Sequence, residues 1–148
     1  MHHVAIMKKS WGLIPKILSG EKTIESRWYK TRRAPWGKVH RGDIIFFKNS
    51  GEPVAARAEA RRVMQFEIDG LRDAGRIIKK YGKRICFIDK NPKHWVGLPT
   101  YCILIFLENP KTIKPIQIDK TGFGSATAWL TVGNIRDITR LDSRSNLE

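Results

Sequence analysis

A lysine, a carboxylate and an arginine lie close together in residues 20–27, which read Gly-Glu-Lys-Thr-Ile-Glu-Ser-Arg. A lysine held in a partly dry pocket can lose its proton and act as a base or nucleophile, so Lys22 is a candidate catalytic group. Glu25 could orient that amine or relay a proton, while Arg27 would pair with Glu25 and oppose charge on Lys22. The simpler alternatives are an electrostatic cradle for a phosphate or a base edge, which we favour, and a solvated ion pair on an edge strand.

A predicted helix ends just before this charged group. Apolar residues recur at helical spacing over residues 13–18, with Ser10 as the expected N-cap and Gly20 as the C-terminal stop. We therefore expect the chain to turn at Gly20 and to fold the amine of Lys22 back over the element that follows.

The following element is a predicted strand. Residues 23–29 alternate in polarity and are rich in β-branched and aromatic side chains. A period of two places Glu25 and Arg27 on the face that also carries Tyr29, and it places Trp28 on the opposite face. The three charged side chains would then meet at the mouth of a pocket.

A basic loop is predicted over residues 30–41, where Lys, Arg, Trp and Pro are dense and no periodicity is present. Cations can meet phosphates there while aromatic rings stack on bases, each stack contributing about 1 to 3 kcal/mol. The alternative is that the tryptophans pack on the fold and the charges are solvated. The candidate RNA- or ligand-binding residues are Lys22, Glu25, Arg27, Trp28, Tyr29, Arg32, Arg33, Trp36, Lys38 and Arg41.

The overall charge points to an anionic partner. The chain of 148 residues has 28 Lys and Arg against 14 Asp and Glu, a net charge of +14. Nucleic acid is the leading candidate. We expect no membrane partner, because no apolar run approaches the length of a spanning helix and no basic amphipathic helix carries an aromatic face. The sequence leaves the identity of any protein partner unknown.

Length and composition favour one domain over residues 1–141, followed by a flexible tail over residues 142–148. The opening residues are too short for a signal peptide and predict a first strand, so we expect a cytoplasmic protein. Cys86 and Cys102 are expected to be reduced core residues. The four histidines are scattered, so no metal and no cofactor are predicted.

Further strands are predicted along the chain. Residues 44–47 and 54–66 are expected to form two strands joined by a hairpin, the second of them alternating Ala and Val with Arg and Glu. Residues 101–107 are expected to form a buried strand with residues 113–118 as its hairpin partner. The exposed arginines of the second strand, Arg57, Arg61 and Arg62, could extend a nucleic-acid surface, but a solvated face is favoured.

Two other signals concern helices. A helix is predicted from a cap at Asp69 to a stop at Gly82. Residues 122–125, Gly-Phe-Gly-Ser, form a predicted turn before a possible helix over residues 126–132, where backbone N–H groups could face a phosphate. A plain glycine turn is the favoured interpretation.

Two motifs together carry a family resemblance. Gly-x-Lys-x-x-Glu-x-Arg over residues 20–27 is followed by Arg-Gly-Asp-Ile-Ile-Phe over residues 41–46. The pair resembles the ASCH domain family, and the likeness runs from about residue 4 to residue 63, with a weaker match near Ile103. This resemblance implies an α+β fold, a PUA-like β-barrel with two flanking helices.

The resemblance also implies functions. Some small bacterial ASCH proteins are amidohydrolases that remove the acetyl group from N4-acetylcytidine with a lysine, a threonine and a glutamate. The lysine corresponds to Lys22, but Glu25 stands where those enzymes carry the threonine, and the distant glutamate has no assigned counterpart here. Other ASCH proteins are similar to RNA-binding modules, and ribonuclease activity is associated with some.

Binding of RNA or of a modified nucleoside in a basic cleft is therefore the function that the sequence favours. The alternative is a hydrolase acting on N4-acetylcytidine or on RNA, with Lys22 as the general base and Glu25 beside it. A protein-interaction adaptor is a third class.

Overall fold

The computed structural model describes residues 1–95 and 97–147. In chain order the strands and α-helices are β1 (His2–Met7), α1 (Leu13–Ser19), β2 (Ile24–Tyr29), β3 (Ile44–Asn49), β4 (Val54–Glu67), α2 (Gly70–Ile85), β5 (Tyr101–Ile116) and β6 (Trp129–Val132). Short 3-10 helices cover Lys9–Trp11, Pro92–His94, Ile135–Ile138 and Leu141–Leu147.

One six-stranded sheet in the order β2-β5-β4-β3-β1-β6 forms the framework. β1 runs parallel to β3, and the other neighbouring strands are antiparallel. The sheet curls until its edges approach, and Arg27 of β2 donates hydrogen bonds to the carbonyls of Ile6 in β1 and Ala128 before β6. The result is a curled half-barrel of the predicted α+β class, with a seam that a side chain spans.

Alternating side chains build the core on both faces of this sheet. On the inner face, α1 packs against residues of β3, β4 and β5, among them Ile45, Phe47, Ala58, Ile103 and Ile105. On the outer face, α2 covers β2 and β5, and the C-terminal 3-10 helices cover β1, β3 and β6. β2 lies between these layers and follows the predicted alternation: Ile24 and Trp28 pack toward α2, while Tyr29 packs in the inner cluster.

The predicted hairpin between residues 101–107 and 113–118 is wrong, because β5 is one continuous strand. Glu108 lies opposite Glu59 and Lys111 lies opposite Arg57, so two residues of β5 face a single residue of β4. A bulge with Asn109 at φ 52° absorbs the extra residue without reversing the chain.

Two of the four helix boundaries that the sequence assigns to capping residues differ, whereas Gly20 ends α1 and Asp69 precedes α2 as predicted. Ser10 does not cap α1, because Lys9–Trp11 forms a 3-10 turn and Gly12, at φ 62°, precedes the helix. Gly82 does not end α2. A Cβ at Gly82 would lie 3.3 Å from Cγ2 of Ile78 in the same helix, and the helix continues past Gly82 to Ile85, with Cys86 at φ 61° as its C-cap.

The C-terminal region forms a strand and short helices. The possible helix over residues 126–132 is wrong, because β6 pairs with β1 and buries Trp129 and Leu130. Within the predicted tail, Leu141–Leu147 forms a 3-10 helix, and the hydroxyl of Ser143 accepts the backbone N–H of Gln117 at 3.0 Å. Glu148 lies outside the described residues. No helix in the described part of the chain is long and apolar enough to cross a membrane.

A buried histidine of β1 connects β6 with Asp43, the residue that precedes β3. His3 Nε2 lies 2.8 Å from Asp43 Oδ2, and His3 Nδ1 accepts the indole N–H of Trp129 at 3.2 Å and lies 3.0 Å from the Thr131 hydroxyl. The indole can only donate, so the neutral ring carries its proton on Nε2, toward the carboxylate. Burial lowers the pKa of His3 below its ordinary value of 6.5.

We expect acid to destabilise the fold through His3. Because its pKa is lowered in the folded state, the unfolded chain takes up a proton first as the pH falls. The stabilisation is complete above the ordinary pKa of 6.5 and is lost as the pH falls through the lowered value. Urea unfolding at a series of pH values should show the free energy of unfolding falling with acid, with a shallower slope in His3→Gln. The exposed His40→Gln should keep the wild-type slope, and an unchanged slope in His3→Gln would contradict this account.

Candidate functional site

The seam between β2 and the opposite sheet edge contains a cavity of about 690 Å³. Side chains from both faces of β2 reach it, because β2 is an edge strand. Its aromatic lining is Trp11, Trp28, Tyr29, Phe87 and Trp95. Its polar and charged lining includes Lys22, Glu25, Ser26, Arg27, Ser50, Asp89, Lys120, Ser125 and Thr127.

Lys22 lies at the floor of this cavity. Its backbone N–H donates to the carbonyl of Lys16 at 2.9 Å, across the left-handed turn at Gly20. Its side chain is only 2% exposed, and Nζ donates to the carbonyls of Ile24 at 2.8 Å and Ile85 at 2.7 Å. Ile85 is the last residue of α2, so the amine satisfies a carbonyl that the helix end leaves unpaired. Burial lowers the pKa of Lys22, with the charge of Arg27 acting in the same direction, while the charge of Glu25 opposes the shift.

Glu25 is buried beside that amine and has one unpaired oxygen. Its Oε1 accepts the backbone N–H of Ser26 at 3.0 Å and lies 3.8 Å from Nζ of Lys22 and 3.9 Å from Nε of Arg27. Its Oε2 is buried with no hydrogen-bond partner among the described residues. An unpaired buried carboxylate oxygen is costly, about 1 to 3 kcal/mol or more, and an N–H group brought by a ligand would remove that cost.

Arg27 holds the seam together. Its Nη1 and Nη2 donate to the carbonyls of Ala128 at 3.1 Å and Ile6 at 3.3 Å, and its guanidinium lies 5.2 Å from the ring centre of Trp129. Because Trp129 donates to His3, the buried histidine also fixes the surface on which Arg27 rests. The guanidinium is thus a fixed positive wall of the cavity.

Three aromatic rings form one side of the cavity. The ring centre of Trp28 lies 5.0 Å from that of Trp95 and 5.7 Å from that of Phe87. The Trp28 indole donates to the Ser26 hydroxyl at 3.0 Å, and the Trp95 indole donates to the carbonyl of Asp89 at 3.1 Å. Both indole donors are satisfied inside the protein, so these rings present mainly their π surfaces and edges to a ligand.

The opposite side of the cavity comes from residues 120–128. Nζ of Lys120 donates to the carbonyl of Thr127 at 3.2 Å, and Thr127 donates from its hydroxyl to the carbonyl of Phe123. The predicted turn over residues 122–125 is present, but it precedes a strand and not a helix, so it has no helix N-terminus to offer a phosphate. Its Ser125 instead contributes to the cavity lining.

The structure brings five of the sequence-predicted residues to the cavity, namely Lys22, Glu25, Arg27, Trp28 and Tyr29. Lys22 and Glu25 lie at the floor of the cavity and not at its mouth, because both side chains are buried. The other five, Arg32, Arg33, Trp36, Lys38 and Arg41, are absent from the lining that the described residues form.

Contacts within the basic loop explain where those five residues lie. Arg32 pairs with Glu67 at 2.7 Å, and Trp36 packs edge-on against Tyr101 with ring centres 4.9 Å apart. Arg33 lies 4.3 Å from the ring centre of Tyr29, one ring away from the cavity. Lys38 is exposed, and Arg41 lines a separate groove beside Arg61 and Arg62.

Sequence reasoning missed several lining residues. Trp11 was part of a predicted helix, and Phe87 and Trp95 fell in a stretch with no periodic pattern. Residues 87–95 contain only Phe87 and Trp95 as large aromatic residues, so the sequence offered no strong signal for them. Cys102 is buried as predicted, whereas Cys86 is half-buried and lines the cavity. No group of three or more potential metal ligands occurs within residues 1–95 and 97–147.

Comparison with known proteins gives matches among solved structures. No protein-family profile matches the chain, and no curated protein matches it either. A crystal structure of ASCH from Zymomonas mobilis is 17% identical, with a TM-score of 0.65, and the match covers 99% of this chain and 92% of that one. Two structures of single-substitution variants of the Zymomonas mobilis protein have TM-scores of 0.66 and 0.64 at 16% and 18% identity. Those two matches cover 94% and 88% of this chain and 99% and 87% of the others. The chain therefore has the fold of these ASCH structures.

We expect Lys22→Met to destabilise the fold strongly. The substitution leaves the carbonyls of Ile24 and Ile85 unpaired and Glu25 without its nearest amine, so the free energy of unfolding should fall by about 3 to 5 kcal/mol. Chemical unfolding monitored by tryptophan fluorescence measures it. The matched control is Lys38→Met, an exposed site where the change should stay within about 0.5 kcal/mol. Equal effects of the two substitutions would contradict the role given to the buried amine.

Proposed function

We propose that this chain is an ASCH-domain protein with a PUA-like barrel, and that it binds RNA or a modified nucleoside with one base inserted into the seam cavity. The observation that carries the proposal is the unpaired Oε2 of Glu25, buried in a cavity that also presents the ring of Trp28. A nucleobase can donate an edge N–H to Oε2 of Glu25 and stack its flat π surface on the ring of Trp28.

The charges around the cavity support the same ligand. Arg27 is held in place by two carbonyls, and Lys120 lies on the opposite wall, so a phosphate or ribose at the mouth would meet fixed positive charge. The volume of about 690 Å³ falls within the range of small-molecule sites. The net charge of +14 adds the long-range attraction that a polyanion needs.

The basic loop takes a smaller part in this proposal than the sequence alone favours. Arg32 is paired with Glu67, and Trp36 packs against Tyr101, so neither side chain is free to meet a base. Arg33, which lies over Tyr29 at the cavity edge, is the residue of this loop best placed to contact a phosphate beside an inserted base.

Binding of a base predicts separate effects for two tryptophans. Trp28→Ala should weaken binding of a nucleoside or a short single-stranded RNA by about 1 to 3 kcal/mol, because one stacking surface is lost. Trp36→Ala is the matched control, since it removes the same side chain outside the cavity and should leave affinity nearly unchanged. Isothermal titration with cytidine, adenosine, guanosine, uridine and N4-acetylcytidine measures both variants.

Glu25→Gln is a second variant to be measured in the same titrations. The amide loses the charge that strengthens a hydrogen bond from the base, so affinity should fall about tenfold. If no nucleoside and no RNA binds, or if the two tryptophan variants weaken binding equally, the base-insertion proposal is wrong.

A hydrolase is the second candidate function, and one observation favours it. Because the pKa of Lys22 is lowered, its amine loses its proton more readily and can then act as a base. Nζ donates two hydrogen bonds to carbonyls, which leaves one hydrogen-bonding position on the amine for a water or a substrate. Glu25 replaces the threonine that the resembling amidohydrolases use. Thr23 does not substitute for it, because its hydroxyl accepts the Nε–H of Arg84 and it is absent from the described cavity lining.

Hydrolysis by Lys22 predicts a particular pH dependence. A lysine acts as a base only when neutral, so release of acetate and cytidine from N4-acetylcytidine should rise with pH and level off above the lowered pKa of Lys22. Glu25→Gln, which keeps the shape of the buried group, should alter this profile. If neither N4-acetylcytidine nor single-stranded RNA gives a product at high enzyme concentration, the hydrolase is excluded and binding is the function that the proposal retains.

A further inference from the structure

A second feature of the molecule lies on the outer face of the sheet, at a bulge in β4. Ala60 pairs with Leu107 and Arg62 pairs with Phe106, so Arg61 has no partner of its own on β5. Before the bulge the even-numbered residues of β4 face inward, and after it Val63 does. Two successive residues, Arg61 and Arg62, therefore both point outward, which regular alternation forbids.

A third arginine meets them over one ring. The guanidinium carbons of Arg61, Arg62 and Arg84 lie 5.8, 5.6 and 5.2 Å from the ring centre of Phe106. Phe106 is only 3% exposed, so it forms a fixed floor beneath exposed cations. Arg84 is oriented further by donating from Nε to the hydroxyl of Thr23 at 3.0 Å. We name these three arginines the arginine triad.

Within the part of the chain that the structure describes, the arginine triad forms no ion pair, although Glu108 lines the groove that Arg61 and Arg62 also line. Among residues 1–95 and 97–147, no carboxylate lies within 4.0 Å of the nitrogens of these three guanidinium groups. Three like charges around one ring repel each other, and an anion bound between them would remove that repulsion. The planar N–H forks of arginine match the oxygens of a phosphate.

We propose that the arginine triad is a phosphate site for the backbone of a single-stranded RNA. It differs from the seam cavity, because it lies on the outer face over Phe106, and none of its members lines that cavity within the described part of the chain. The proposal does not rest on base insertion, since a backbone phosphate can bind here whatever the cavity holds. The net charge of +14 favours a polyanion such as RNA over a free phosphate as the partner.

The test is a double substitution with a matched control. Arg61→Ala with Arg62→Ala leaves Arg84 and its bond to Thr23 intact and changes only exposed side chains, so the fold should persist. The control, Lys111→Ala with Lys114→Ala, removes the same charge from exposed positions of β5. Urea unfolding establishes that both variants are folded.

Binding of a single-stranded RNA oligonucleotide is then measured over a series of salt concentrations. In the triad variant we expect affinity to fall about tenfold, and the slope of log affinity against log salt to become shallower by about 0.7 for one lost phosphate contact. The control should change affinity and slope less. Arg61→Lys with Arg62→Lys should keep the slope and lose part of the affinity, because it retains the charge without the N–H forks.

Two further probes separate this site from its alternatives. Cytidine, which has no phosphate, should bind the triad variant as it binds the wild type, so failure of nucleoside binding concerns the cavity alone. Inorganic phosphate, titrated while the arginine Nε–H resonances are observed, should bind weakly. The proposal is overturned if the control double variant weakens RNA binding as much as the triad variant, or if RNA affinity is unchanged in the triad variant. Tight binding of inorganic phosphate in the second case would make the arginine triad a site for free phosphate instead.

Discussion

One buried amine joins the two elements on which the cavity is built. Nζ of Lys22 donates to the carbonyl of Ile24 at the start of β2 and to that of Ile85 at the end of α2. A helix end leaves carbonyls unpaired and carries partial negative charge, so a cation there replaces water that the buried site excludes. This anchor sets the point where the chain leaves α2 toward Phe87, and it places a positive group beside Glu25. The position of the aromatic wall and the charge at the cavity floor therefore depend on the same contact.

Closure of the sheet by a side chain, instead of by a ladder of backbone hydrogen bonds, leaves room for a ligand. Arg27 bridges β2 to the carbonyls of Ile6 and Ala128, and the gap around it is the cavity. An edge strand exposes side chains from both faces, which is why Trp28 of one face and Glu25 of the other reach one space. The unsatisfied Oε2 of Glu25 fits a site that is complete only when a ligand donates to it.

Much of the fold follows from local pattern, and the failures have identifiable causes. The alternation of β2, the turn at Gly20 and the α+β class were predictable because each depends on neighbouring residues. The hairpin assigned around Asn109 was wrong, since a bulge can absorb the same turn-forming residues once a partner strand continues past them. Gly82 was mistaken for a helix stop because a buried glycine inside a helix has the same local sequence signature as a glycine that ends one.

The sequence by itself determined the charge of the protein, the grouping of Lys22, Glu25 and Arg27, and the faces on which they lie, because these depend on composition and on the geometry of a single strand. Only the tertiary structure decided which groups share a space. It brought Phe87 and Trp95 to the charged floor, placed most of the basic loop elsewhere, and turned Arg61 and Arg62 to one side. Such placements depend on sheet curl and on register between strands distant in sequence, and neither is encoded in a local period.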